Sequence, residues 1–377
     1  MNVLFTGDLC FSGSFAQRLE EGMAIFSEEL EELFRQQVYC IGNLEGPLVA
    51  PALAQKHRAK IINPPACLPY LMSLNAKVFT LANNHTFDCG KEGFLQTREQ
   101  LAESQARWFG AGESWGEASK PLILSHEEHT VALLGISFRE GMLAGPNKAG
   151  VFSTQNIHVI TGLIQEARKK ADTVIICYHG EEEYTQFPMP SRRKWLHQLA
   201  EQGVDAIVCH HPHVLQGIEY VQGVPICYSL GNTVFDVAGH RHRSFTDMGG
   251  LLQMQIENGN IHIRLIPIRL DRDKGLVAVL QSQKSLTDLA DIHDFSQYQR
   301  RWEEEAFRVF QERHFSAAPF PPSPTAPPVG KWKRMAKKLG RRSFYKTLFA
   351  TLYYPNSRAI FVAAIRYQIR KTFSGRP

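Results

Sequence analysis

Three imidazoles in four residues, His210-His211-Pro212-His213, follow an apolar run over 204–209 that reads as a buried strand. The carboxyl end of a strand is where α/β folds place their chemistry. His211 and His213 alternate around Pro212, which stiffens the turn, so two ring nitrogens can be aimed at one point, as a metal site requires. Taken alone, the stretch also reads as a His-rich polar loop. Other strand ends carry similar chemistry. Asp8 follows the apolar stretch 2–6, and Glu45 follows 38–41, held between Gly42 and Gly46 where the backbone can turn sharply. Asn84 and His85 follow 77–82, where an amide beside an imidazole offers a neutral oxygen ligand and a proton donor. His179 follows 173–178. Singly, Asp8 reads as a turn aspartate and Asn83 as a helix cap. Together, polar clusters at the same end of five strands are poorly explained by turn chemistry and predict a shared metal site.

The elements that must position these residues alternate. Helical patterns occupy 14–35, 65–75, 91–105, 154–171, 190–202 and the region near 285–314. Residues 121–125 and 130–137 predict a hairpin with Glu127-Glu128 near its tip, and 249–257 with 260–269 predict another around Asn258-Gly259. There is no internal repeat. The alternation predicts an α/β class with layered sheets.

Size and charge divide the chain. Its 377 residues, 44% hydrophobic, suffice for one large domain with an extension. A domain is expected over 1–315, a proline-rich linker over 316–329, and a tail over 330–377. The tail holds 13 of the 42 Lys and Arg and no Asp or Glu, leaving 29 basic against 37 acidic residues elsewhere. An acidic body argues against a nucleic-acid partner. In the tail, apolar residues recur at helical spacing on either side of Pro355, with Arg366 and Arg370 on another face of the second segment. Such a basic amphipathic pair suits an anionic membrane surface or an assembly partner, docking on the acidic body being the simpler reading. Seven cysteines without CxxC or disulfide spacing, no signal-peptide pattern and no apolar run of eighteen residues predict a cytoplasmic protein, peripheral at the inner membrane. Arg241-His242-Arg243 reads as a solvated loop, with contact to an anionic polymer as the alternative.

Six stretches carry a family resemblance: FTGDLCFSG (5–13), GNLEGPL (42–48), LANNHTFDCG (81–90), YHGEEEY (178–184), HHPHVLQ (210–216) and YSLGNTVFD (228–236). In this order they resemble the capsule-synthesis family CapA, the poly-gamma-glutamate biosynthesis proteins, within the calcineurin-like metallophosphoesterase superfamily. The resemblance implies a four-layer α/β/β/α sandwich with two divalent ions (Mn, Zn, Fe or Mg) at the strand ends. It places Asp8 on one ion and Glu45 between the two. Asn84, His179 and His211 would complete the second ion, and His213 would return to the first. His85 is implied as a non-ligand catalytic histidine that donates to the reacting group, with Asp88 orienting it. Tyr184, Gln216 and Asn232 are expected beside the ligands or the substrate. Two positions depart from the pattern. Cys10 stands where the superfamily's Asp-x-His has histidine, with a packed small residue expected there rather than a ligand, and His179-Gly180-Glu181 lacks the family's tryptophan. The implied function is biosynthesis of an anionic capsule polymer through metal-dependent hydrolysis of phosphoester or related bonds, acting on that polymer or a phosphorylated substrate. A non-catalytic polymer-handling or assembly subunit with a vestigial metal site is the alternative.

Overall fold

The computed structural model describes residues 1–138, 141–257, 259–280, 295–315 and 355–374. The expected linker and the first segment of the tail lie outside the described residues. In chain order the strands are β1 (Asn2–Cys10), β2 (Tyr39–Leu44), β3 (Ala76–Thr80), β4 (Arg107–Phe109), β5 (Ala111–Gly112), β6 (Leu122–His126), β7 (His129–Ser137) and β8 (Gly150–Val151). They continue with β9 (Thr173–His179), β10 (Ala206–His210), β11 (Ile218–Val221), β12 (Val224–Cys227), β13 (Asn232–Phe235), β14 (Met248–Glu257), β15 (Asn260–Asp271) and β16 (Leu276–Val279).

Two mixed sheets carry the first compact unit, Met1–Gln186 with Ser191–Asp291. One runs β16-β15-β14-β1-β2-β3-β4, with β13 pairing β1; the other runs β11-β12-β10-β9-β7-β6. Around the chemistry both are parallel: β1 with β2, β2 with β3, β7 with β9, and β9 with β10. Alternation along β1 explains its burial on both faces. Val3 and Phe5 meet Leu133, Ile175 and Val208 of the other sheet in a shared core. Leu4 and Leu9 point the other way, into a core built with Phe15, Leu30, Phe34, Leu71 and Phe94 from the helices.

Local chemistry moved several boundaries. The predicted helix over 14–35 is two, Ser14–Glu20 and Glu28–Arg35, broken where Gly22 takes φ +70°. Strand β1 continues through Asp8 to Cys10 because β13 supplies a parallel partner, Asp8 opposite Asn232. That pairing brings backbones so close that a Cβ on Gly7 would lie 2.1 Å from the Gly231 carbonyl oxygen. Glycine at position 7 is therefore a packing requirement, while Gly231 takes φ +63° and a Cβ there would lie 2.9 Å from Leu215 N. A helix at Pro51–His57, entered through proline at its first turn, is additional to the sequence expectation.

The second unit comprises Phe187–Pro190 and Ile292–Pro377. Its described helices, Phe295–Phe315 and Pro355–Ser374, pack on each other, burying Ile360, Ala363 and Ala364. Phe310 lies against Phe361, and Arg370 reaches Glu303 at 3.0 Å. Ile365 remains exposed. No helix among the described residues is long and apolar enough to cross a membrane.

Candidate metal centre

The carboxyl ends of β1, β2, β3, β9 and β10 deliver their side chains to one place. Two groups of side chains that could hold a metal ion form there, Asp8 with Glu45 and His213, and Glu45 with His179 and His211. Within each group the ligand atoms lie within 4.8 Å of one another, and every residue is buried. Glu45 belongs to both groups.

On the second position three donors converge. His179 Nε2 lies 2.8 Å from Asn84 Oδ1 and 3.2 Å from His211 Nδ1. On the first, Asp8 Oδ2 is 3.1 Å from His213 Nδ1, and His213 Nε2 is 3.7 Å from Glu45 Oε1. His85 stands at the rim, with Nε2 3.8 Å from Glu45 Oε1 and Nδ1 2.8 Å from Asp88 Oδ2. Asp88 is thus placed to orient the ring.

Electrostatics describe a site in deficit of positive charge. Burial, then the Asp8 charge, pushes the Glu45 carboxyl up to about 8. Burial opposes protonation of His213, but the Glu45 and Asp8 carboxylates outweigh it and raise the ring to about 10. Burial holds His211 down to about 4 and His179 well below its ordinary value, so both rings are neutral and offer lone pairs. Both Glu45 oxygens are buried without a hydrogen-bond partner. Orphaned buried carboxylate oxygens are costly unless a cation completes them. The donor set, nitrogen and oxygen without thiolate, fits divalent metal ions.

Strain also concentrates here. His211 and His213 both take positive φ, +99° and +58°, as do Glu181 and Tyr184 in the loop after β9. Non-glycine residues hold such conformations only where their surroundings impose them. Tyr184 N donates to Pro212 O at 2.8 Å, tying that loop to the histidine turn.

The remaining residues singled out in the sequence support this shell. Asn232 places Oδ1 3.0 Å from His213 Nδ1 and donates Nδ2 to the His213 carbonyl. Tyr184 stacks on the His213 ring with centroids 6.2 Å apart. Gln216 donates to Thr185 O at 2.7 Å and so anchors the loop after β9. Cys10 turns away, its thiol against Ser12 and Ile62 O, buried and pushed up to about 12; it acts as a packed residue. His210, the third imidazole of the turn, accepts no ligand role; its Nε2 meets Thr6 O at 2.9 Å and joins the two sheets.

Two contributors went unread in the sequence. Asn43 Nδ2 donates to Asp8 Oδ1 at 2.8 Å and lies 3.3 Å from His179 Nδ1, linking a member of each donor group. His240 packs edge-on to His213, centroids 4.5 Å apart, with Nε2 3.2 Å from the Tyr184 hydroxyl. Asn43, two residues before Glu45, passed as a spacer, and His240 fell in a stretch without periodicity.

The description "Bacterial capsule synthesis protein PGA_cap" matches residues 2–237, which contain every donor above. The chain belongs to this family. It is 30% identical over 301 residues to the PGA biosynthesis protein CapA of Bacillus subtilis (strain 168), covering 78% of this chain and 77% of that one. It is 34% identical over 201 residues to the capsule biosynthesis protein CapA of Bacillus anthracis, 51% of this chain and 47% of the relative, so it spans about half of that protein. Among solved structures, a novel phosphatase from Mycoplasma pneumoniae is similar with a TM-score of 0.46 and 11% identity, over 71% of this chain and 93% of that one. The mixed α/β sheets with helices are the α/β fold class that the sequence motifs implied.

Proposed function

We propose that this member of the capsule synthesis family is a binuclear metal-dependent hydrolase of phosphoester or related bonds, acting in the biosynthesis of an anionic polymer of the poly-gamma-glutamate type. The observation that carries the reading is Glu45, common to two buried donor groups with both its oxygens orphaned. Asp8, Glu45 and His213 would hold one ion, and Glu45, Asn84, His179 and His211 the other. When bound, such a pair supplies Lewis acidity toward a phosphoryl or acyl oxygen and toward water.

The chain's own groups would do the rest. His85, fixed through Nδ1 by Asp88, presents Nε2 toward Glu45 and so faces the reacting centre. Its pKa is raised, the Asp88 hydrogen bond and the Glu45 charge together outweighing burial, so the ring can carry the proton it would donate to an oxyanion or leaving group. Asn43 and Asn232 hold Asp8 and His213 in place through hydrogen bonds.

Elemental analysis of chain purified without chelator tests this. About two metals per chain are expected, near one in His211→Ala, and loss of both in Glu45→Ala. Metal-loaded wild type should hydrolyse a phosphoester panel, with His85→Asn retaining metal and losing turnover at least 100-fold. A chain that takes up no Mn, Zn or Fe supports the other reading, a non-catalytic assembly subunit; Cys10 in the histidine position, which leaves the Asp8 group with three donors, favours that outcome.

A further inference from the structure

The short helix Ala238–Arg241 and the turn after it carry two arginines with unlike surroundings. Arg241 is committed. Its guanidinium forks onto both Asp236 oxygens at 2.6 and 2.7 Å, reaches Asp273 at 3.2 Å, and donates to Arg272 O. Asp236 in turn accepts from the backbone and hydroxyl of Ser14 at the start of helix Ser14–Glu20. Arg241 therefore belongs to the scaffold.

Arg243 differs. No carboxylate among the described residues pairs with it, and its guanidinium lies over the Tyr184 ring, 5.2 Å from the centroid. The same ring is buried and stacks on His213 of the Asp8 position. Stacking on an aromatic face orients a guanidinium while leaving its N–H groups to other partners. The order Arg243, Tyr184, His213 places a half-buried cation, without a carboxylate counter-ion, one ring away from the candidate metal ligands.

The geometry points to Arg243 as a recognition residue for a carboxylate carried by the substrate beside its reacting bond. This rests on the function proposed above and adds a substrate feature to it. A planar fork takes a carboxylate through two parallel hydrogen bonds, geometry that a lysine ammonium cannot reproduce. An anionic chain bearing a carboxylate on every residue would present one to Arg243 while its reacting group meets the centre.

Fluorescence anisotropy of a labelled, short γ-linked glutamate oligomer on the full-length chain tests this, with metal content measured on the same samples. Arg243→Gln is expected to weaken binding about tenfold, the loss of one charged hydrogen-bonded contact. Arg243→Lys should recover only part of it, and both variants should keep wild-type metal content. Oligomer binding that is unchanged in Arg243→Gln, or absent from metal-loaded wild type, overturns the assignment and leaves the metal centre standing. Loss of metal or of cooperative unfolding in both variants also overturns it and makes Arg243 structural. Arg243-dependent binding by a chain that holds no metal keeps the recognition role and removes the hydrolase reading.

Discussion

Glu45 is where opposing demands on the centre meet. Its carboxyl is buried next to Asp8, and before any ion arrives the cheapest relief is a proton, which is why its pKa rises to about 8. Replacing it by glutamine keeps the shape and removes the charge. In chelator at pH 7, Glu45→Gln should unfold at least as stably as wild type and gain up to about 1 kcal/mol, since glutamine spares the fold the proton uptake that the raised Glu45 carboxyl requires. Its metal content should fall below one ion per chain. Thermal unfolding in chelator beside elemental analysis checks both halves; a stability loss above about 2 kcal/mol would mean that the carboxylate holds the apo fold together. The same residue shows what spacing made legible. Asp8, Glu45, Asn84, His179, His211 and His213 stand out because each interrupts an apolar run with a donor group. Asn43 sits inside such a run, where its side chain has the same sequence signature as a buried spacer. His240 reaches His213 only through a turn whose direction depends on Asp236 and Arg241, a tertiary contact that no local pattern encodes.

Among the elements, buried parallel strands were readable as short apolar runs, because both their faces are covered. Their ends were not. Strand β1 passes Gly7-Asp8 because β2 and, more than 200 residues later, β13 both pair with it there, and helix Pro51–His57 is too short for a periodic signal. The second sheet shows how an element is fastened from outside. Glu219 on β11 accepts from Arg193 Nε at 2.9 Å and from the Tyr228 hydroxyl at 2.7 Å, with His197 Nε2 at 3.0 Å, so helix Pro190–Ala200 is clamped to the edge of the sheet. Burial alone would raise its carboxyl; these three partners outweigh it and depress it to about 2. A depressed carboxyl stabilises the fold above its unfolded pKa of about 4.5, and that contribution is lost as pH falls toward 2. Glu219→Gln should therefore cost roughly 2 kcal/mol at pH 7 and much less near pH 2.5, read by denaturant unfolding at both values. An equal deficit at both would assign the effect to packing instead of charge.

At the scale of the first unit, the centre is a joint between two sheets. Asp8, Glu45 and Asn84 leave one sheet, and His179, His211 and His213 leave the other, so no donor group is complete within a single sheet. Among described contacts, His210 to Thr6, the Tyr39 hydroxyl to Ser125 O, Arg107 to Ile123 O and the shared core of Phe5, Ile175 and Val208 also join them, through a few hydrogen bonds and non-directional packing. Ions that bind only when both sheets are in place stabilise that arrangement by mass action, about 2.7 kcal/mol at a hundredfold excess over the dissociation constant. Chelation should consequently raise amide exchange first at the carboxyl ends of β1, β2, β9 and β10, where strands from both sheets meet the donors. Helices Phe295–Phe315 and Pro355–Ser374 carry no donor and are held by their own buried contacts, so their exchange should not change. Hydrogen exchange with and without added Mn distinguishes this from general loosening. Protection lost evenly along the strands, or none lost at all, would mean that core packing fixes the sheets unaided and that the ions serve chemistry alone.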